Sequence, residues 1–182
     1  MNIFALDHDP KQCAEWHVNK HVIKQILEYS QLLSTAHRIL DGTPRNELSQ
    51  AGRRITRWEL PDSRESELYK ATHINHPSAV WARESASNYE WLQNLLSLLC
   101  AEYTYRYGKV HKCQSSGLVD ALKTLPNNIK DKGLTPVLCA MPDEYKVPGD
   151  HVESYRNYYR YGKGRMLSWT GKIAGRSTPE WL

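Results

Sequence analysis

At 182 residues the chain has room for one domain built on a single hydrophobic core. Its 24 basic and 20 acidic side chains leave a net charge of +4, a mild excess that permits a nucleic-acid partner without demanding one. No apolar run approaches the roughly 20 residues needed to cross a bilayer, the N-terminus has no basic-then-apolar leader pattern, and Cys13, Cys100, Cys113 and Cys139 show no CxxC spacing. The expectation is a soluble protein of a reducing cytoplasm, with no membrane partner and no cofactor.

The chain opens on a short apolar run, Asn2-Ile3-Phe4-Ala5-Leu6, that reads as a strand or extended arm. Asp9-Pro10 then has the form of a helix entry, with proline at the first helical position. A helix follows from about Pro10 to Leu40, with a break near Trp16 or His17, and Asp41-Gly42-Thr43-Pro44 ends it. At 100° per residue His17, His21, Lys24, Glu28 and Gln31 share one stripe, beside an apolar one of Val18, Val22, Ile26, Tyr29 and Leu33. A surface helix seldom gathers imidazoles, an amine and a carboxylate on one stripe, so it reads as the wall of a site.

Residues 43–75 are polar, and Arg45, Arg53, Arg54, Arg57 and Arg64 run through them. They read either as a solvated connector or as a mobile insert with one or two short helices, suited to phosphate. Asn75-His76-Pro77-Ser78 marks a second helix entry, and from Ala79 to Tyr107 the pattern predicts one helix of about 28 residues, on the order of 40 Å long, as the spine of the fold. Gly108 stops it. A short helix near 117–125, a proline-rich course to Pro148, a tyrosine-rich helix over 151–161 and an extended tail over 162–182, ordered by a ligand, complete the reading. Strand signals are few. The predicted class is mainly α, a single-domain helical bundle around one long central helix, with an irregular arginine-rich insert and an extended tail.

Eleven Tyr and six Trp stand against one Phe. Rings with polar tips suit half-buried surfaces and stacking platforms, so a planar ligand is as good a reading as a small core with a wet rim. Trp81, Ser85 and Asn88 fall on one helical face, where an indole can stack a base while the amide reads its edge, although Trp is more often core. Arg106 with Lys109, His111 and Lys112 makes a basic terminus suited to phosphate. His17 and His21 at i, i+4 can face one metal, but the glutamate of HExxH is missing and Lys20 and Lys24 oppose a cation, so no metal is assigned. Without metal the stripe is an acid–base set, with Lys20 or Lys24 as amine and Glu28 as carboxylate for imine chemistry at a sugar C1′. In Met141-Pro142-Asp143-Glu144-Tyr145-Lys146 two carboxylates sit in a turn, either as an acid delivered from a loop or as a helix start.

Several strings resemble a protein family of tailed phages and large DNA viruses that carries no assigned function. They are Met1-Asn2-Ile3-Phe4 with Leu6-Asp7 and Asp9-Pro10, His17 with Lys20-His21-Val22, Gln31 to Arg38, His76-Pro77, Trp81, Arg83, Asn88-Tyr89, Glu102 to Lys109, Met141 to Lys146, and Tyr155 to Tyr159. The order of elements is more distantly similar to the small α-helical pyrimidine-dimer DNA glycosylases. That similarity implies attack of an α-amine on C1′ of a damaged nucleotide, assistance by a glutamate, and an imine that permits strand cleavage. Residue 2 is Asn, whose bulk keeps the initiator methionine, so the α-amine belongs to Met1, and Glu15 or Glu28 takes the carboxylate role.

The expected function is a viral protein that handles a base, through glycosylase- or lyase-like chemistry or base modification, with DNA or a nucleotide as partner. His21, Glu28, Lys20 and Lys24 are the expected catalytic set. His17, Gln31, His37, Arg38, His76, Trp81, Arg83, Asn88, Arg106 and Lys109 are the expected binding set, with Arg38, Arg83 and Arg106 on phosphate. A nucleotide-sequestering protein without turnover and a metal-dependent hydrolase are the alternatives.

Overall fold

A computed structural model describes all 182 residues. The chain is mostly helical, but no single helix forms the centre. Helix α1 (Pro10–Trp16) and helix α2 (Asn19–Asp41) are followed by a hairpin of strands β1 (Thr43–Leu48) and β2 (Arg54–Glu59) and a short α3 (Arg64–Glu67). Then come α4 (Pro77–Glu84), α5 (Ala86–Tyr107), two single-turn helices α6 (Lys112–Ser115) and α7 (Leu118–Ala121), and α8 (His151–Asn157), which widens into a π turn over Tyr158–Gly162. Helices α2 and α5, of 23 and 22 residues, share the centre and pack on each other and on α1 and α4. One continuous hydrophobic cluster fills the space between them.

Local chemistry explains most boundaries. Asp9 accepts from Lys11 N and Pro10 occupies the first turn, so α1 starts where both signals coincide. Gly108 closes α5 with φ +64°, and a Cβ there would run into Ile173. The predicted spine is cut at Ser85, whose backbone is extended at φ −147°. Asp131 causes this break to hold: its Oδ1 accepts from Ser85 Oγ, Ser87 Oγ and Ser87 N, and so caps α5 from a distant loop.

The arm Ile3–Leu6 is extended and buried, with no strand beside it. Side chains satisfy its backbone instead, since Phe4 N donates to Tyr29 Oη and Leu6 N to Cys13 Sγ.

Residues 43–75, expected as a solvated connector or a mobile insert with one or two short helices, contain the short α3 and an antiparallel hairpin that was not expected, with Thr43 opposite Glu59 and Leu48 opposite Arg54. Every β1 side chain is exposed. What holds this segment is Arg38, fully buried in α2. Its guanidinium donates to Tyr69 O, Trp58 O, Glu65 Oε2, Glu65 O and Leu68 O, which accounts for all five N–H groups. Arg38→Leu is expected to cost about 3–5 kcal/mol, since it removes the donor from four carbonyls, of Trp58, Glu65, Leu68 and Tyr69, and takes one of the cations from the Glu65 carboxylate. Arg38→Lys should recover little, because an ammonium offers three donors from a point. Urea unfolding, with amide exchange rising first across 43–75, checks both; wild-type exchange in Arg38→Leu would refute this role.

The tail is docked rather than awaiting a ligand. Asn19 N donates to Ser168 O, Trp169 Nε1 to Trp16 O, and Lys172 N and Ile173 N to Arg106 O. Arg176 meets Glu102 at 2.5 Å, and Trp181 lies against Trp16 and Tyr159 with the Arg156 and Arg160 guanidiniums over its ring. No helix is long and apolar enough to cross a membrane.

Candidate functional site

The start of α2 turns one face outward toward the N-terminal arm and the chain after α8. Between them lies a cavity of about 380 Å³ lined by Met1, Asn2, Phe4, Lys20, His21, Lys24, Gln25, Glu28, Tyr158, Lys163 and Met166. The structure thus brings all four residues of the expected catalytic set to one cavity. Spacing of three and four residues along a helix does this directly, since 21, 24, 25 and 28 lie one above another.

His21 is buried. Its ring stacks on Phe4 with centroids 4.2 Å apart, and Nδ1 lies 2.6 Å from Tyr159 Oη. Tyr159 Oη has no other partner, so giving its proton to Nδ1 leaves only the His21 Nε2–H unmatched, whereas the opposite tautomer would leave both the hydroxyl proton and Nε2 unmatched. Burial, then the charges of His17, Lys163 and Lys24, lower its pKa to about 3. With its pKa lowered this far, His21 is neutral at pH 7 and presents an Nε2–H that has no acceptor inside the protein.

Glu28 is nearly buried and pairs with the exposed Lys24 at 2.9 Å. Lys20 has no carboxylate partner, so it is the unpaired lysine of α2 at the cavity. Lys163 sits 4.6 Å above the Tyr158 ring on the facing wall. Three ammonium groups against one carboxylate make a wall suited to an anion. Glu15, the other carboxylate considered for the glycosylase role, lies elsewhere, 3.6 Å from Arg176.

Gln25 supplies the unexpected feature. It is 1% exposed, yet its Oε1 has no hydrogen-bond partner. A buried amide left unmatched costs about 1–3 kcal/mol, and most native amides avoid this. It was not among the residues singled out from the sequence, although it lies four residues after His21 on the same side of α2, because a glutamine next to Lys24 reads as solvated surface. Phe4, Tyr158, Lys163 and Met166 reach the cavity through long-range packing that no local pattern signals.

Most of the expected binding set is built into the frame. His17 is fully buried and precedes α2; Nδ1–H donates to Cys13 O at 2.7 Å and Nε2 accepts from Tyr29 Oη at 3.2 Å. With both nitrogens spent, His17 has none left to face a metal together with His21, and no three His, Cys, Asp or Glu side chains gather into a metal-binding group. Arg38 has no donor left for phosphate. Arg106, also fully buried, donates to Glu102 Oε2, His17 O, Asn19 Oδ1 and Glu15 O, tying α5 to the α1–α2 junction. His37 accepts from Arg64 on Nδ1 and donates from Nε2 to Tyr89 Oη.

Asn88 is buried and spends its amide on Trp81 O and on the backbone N and hydroxyl of Thr135, so it cannot read a base edge. Arg83 is half-buried and donates to Ala79 O. His76 caps α4 by accepting from Ser78 N and lies close enough to Glu28 to feel its charge. Gln31 is half-buried one turn beyond Glu28 and outside the cavity lining, and Lys109 is exposed past the end of α5. Trp81 is buried but lines a second cavity, of about 250 Å³.

No protein-family model, curated protein or solved structure matches this chain.

Proposed function

We propose that the cavity between the N-terminal arm and α2 takes a nucleotide unit, free or within DNA, and that its amine and carboxylate act at the sugar C1′ in a glycosylase- or lyase-like reaction. The observation that carries this reading is the unmatched Gln25 amide in a lysine-rich cavity that also holds Glu28. An anionic ligand with a polar planar edge answers both features at once: phosphate meets Lys20, Lys24 or Lys163, and a base edge meets Gln25 and the His21 Nε2–H.

The chemistry follows from the groups available. The Lys20 ammonium gives up one proton, which passes through water to the leaving base, and the freed amine attacks C1′ as the glycosidic bond breaks with its electron pair passing to the base. Glu28 accepts a proton from the new C1′–N centre and delivers it to O4′ as the C1′–O4′ bond opens, leaving a protonated imine. Neutral His21 holds the leaving base through its hydrogen bond and moves no proton.

Borohydride reduction of protein mixed with modified duplex oligonucleotides tests this. A covalent adduct whose peptide map ends at Lys20 is the expected result. An adduct at Met1 would replace the nucleophile and keep the reaction. A nucleotide complex with neither adduct nor product would move the protein to the sequestering class, and no binding at all would refute the reading.

A further inference from the structure

The second cavity is lined by His8, Trp81, Trp91, Leu134, Thr135, Pro136, Val137 and His151. It holds four rings in two edge-to-face pairs: Trp81 and Trp91 at 6.0 Å and 88°, His8 and His151 at 5.3 Å and 71°. The Trp91 indole is fixed, since its Nε1 donates to His8 O at 3.1 Å. Neither imidazole has a hydrogen-bond partner in the protein. No Lys, Arg, Asp or Glu lines the space.

Phosphate and ammonium groups are poor occupants of an uncharged chamber. A flat, neutral ring with a polar rim fits it, because the half-buried Trp91 indole, backed edge-on by buried Trp81, gives stacking surface and the imidazoles give nitrogens to the rim. The volume suits one ring system, below the 300–1,000 Å³ or so of drug-sized pockets.

The two cavities share their frame. The N-terminal arm contributes Phe4 to one and His8 to the other, and the α8 segment contributes Tyr158 and His151 in the same order. Four residues of arm span at most about 13 Å, and seven residues of helix about 10 Å. At about 3.4 Å per stacked nucleotide along one strand, that separation is roughly three steps.

We propose that the Trp81–Trp91–His8–His151 cavity is a stacking subsite for a second base of the same strand, a few nucleotides from the unit held at Lys20 and Glu28. This rests on the nucleotide reading of the first cavity. A strand held at both points passes along the arm, and its affinity then exceeds that of a mononucleotide without any change at the first site.

The test compares binding of a dye-labelled single-stranded hexanucleotide, by anisotropy, with binding of deoxynucleoside monophosphates, by calorimetry. Trp91→Ala is expected to weaken the hexanucleotide five-fold or more, within the range measured for loss of one stacked base, and to leave mononucleotide binding unchanged. Trp91→Phe should retain most of the affinity. His8→Ala, at an exposed position that carries no folding risk, should weaken the hexanucleotide alone. Lys20→Glu should weaken both ligands. If Trp91→Ala and His8→Ala leave hexanucleotide affinity unchanged while Lys20→Glu reduces it, the subsite is refuted and the first cavity stands. If wild-type protein binds neither ligand, the nucleotide reading fails and the subsite with it.

Discussion

Lowering the pH from 7 to 5 is expected to remove roughly 4–6 kcal/mol of folding stability, because three imidazoles are buried in the neutral form. Burial pushes His17 to about 4, His21 to about 3 and His37 to about 4, with nearby positive charge adding to the effect in each case: Arg106 for His17, His17, Lys163 and Lys24 for His21, and Arg64 for His37. Against an ordinary value of 6.5, each folded-state pKa is depressed. Above pH 6.5 both folded and unfolded chains hold these rings neutral, and they add no pH dependence. As pH falls from 6.5 toward 4 the unfolded chain binds protons that the folded chain refuses, so stability declines with a slope near 4 kcal/mol per pH unit around pH 5. Below about 4 the folded rings protonate as well and the slope relaxes.

The hydrogen bonds explain why the folded state refuses those protons. His17 Nε2 accepts from Tyr29, His21 Nδ1 accepts from Tyr159, and His37 Nδ1 accepts from Arg64. A proton on any of these nitrogens would set donor against donor. For a domain whose total stability is on the order of 5–15 kcal/mol, the loss is a large fraction. Urea midpoints at pH 7 and pH 5 measure it directly, and equal midpoints would show that these rings titrate normally.

Those same histidines mark how far the sequence could be read. Helix starts at Pro10 and Pro77 and the stop at Gly108 were legible because a few neighbouring residues determine them. The stripe of His21, Lys24 and Glu28 was legible because helical periodicity is local too. The hairpin was not, since Thr43-Pro44-Arg45-Asn46-Glu47-Leu48 is exposed throughout and shows no alternation of apolar and polar side chains. Its order comes from Arg38, and full burial of an arginine is rare enough that no pattern announces it. Asn88 was misassigned for a related reason: its partner Thr135 lies 47 residues away. The break at Ser85 depends on Asp131, equally remote. Long-range polar partners decided which candidate residues became frame and which stayed open to a ligand.

Glu28→Gln is expected to slow adduct formation by 100-fold or more while leaving nucleotide affinity within a few fold. The amide keeps the shape and a hydrogen-bonding oxygen, but it can neither accept the proton released at C1′ nor return it to O4′. Folding should be little affected, because the pair that is lost joins Glu28 to a lysine whose side chain is 65% exposed, and such pairs contribute about 1 kcal/mol or less. Lys24→Ala separates the two roles of that pair. If Lys24 only orients the carboxylate, its loss should slow the reaction far less than Glu28→Gln; if Lys24 is the amine that forms the imine, the adduct should vanish and Lys20→Ala should leave it intact. Single-turnover trapping rates for the three variants, each measured at saturating DNA, decide between Lys20 and Lys24. A Glu28→Gln protein that traps DNA at the wild-type rate would remove the carboxylate from the chemistry and leave Gln25, His21 and the lysines as a binding surface.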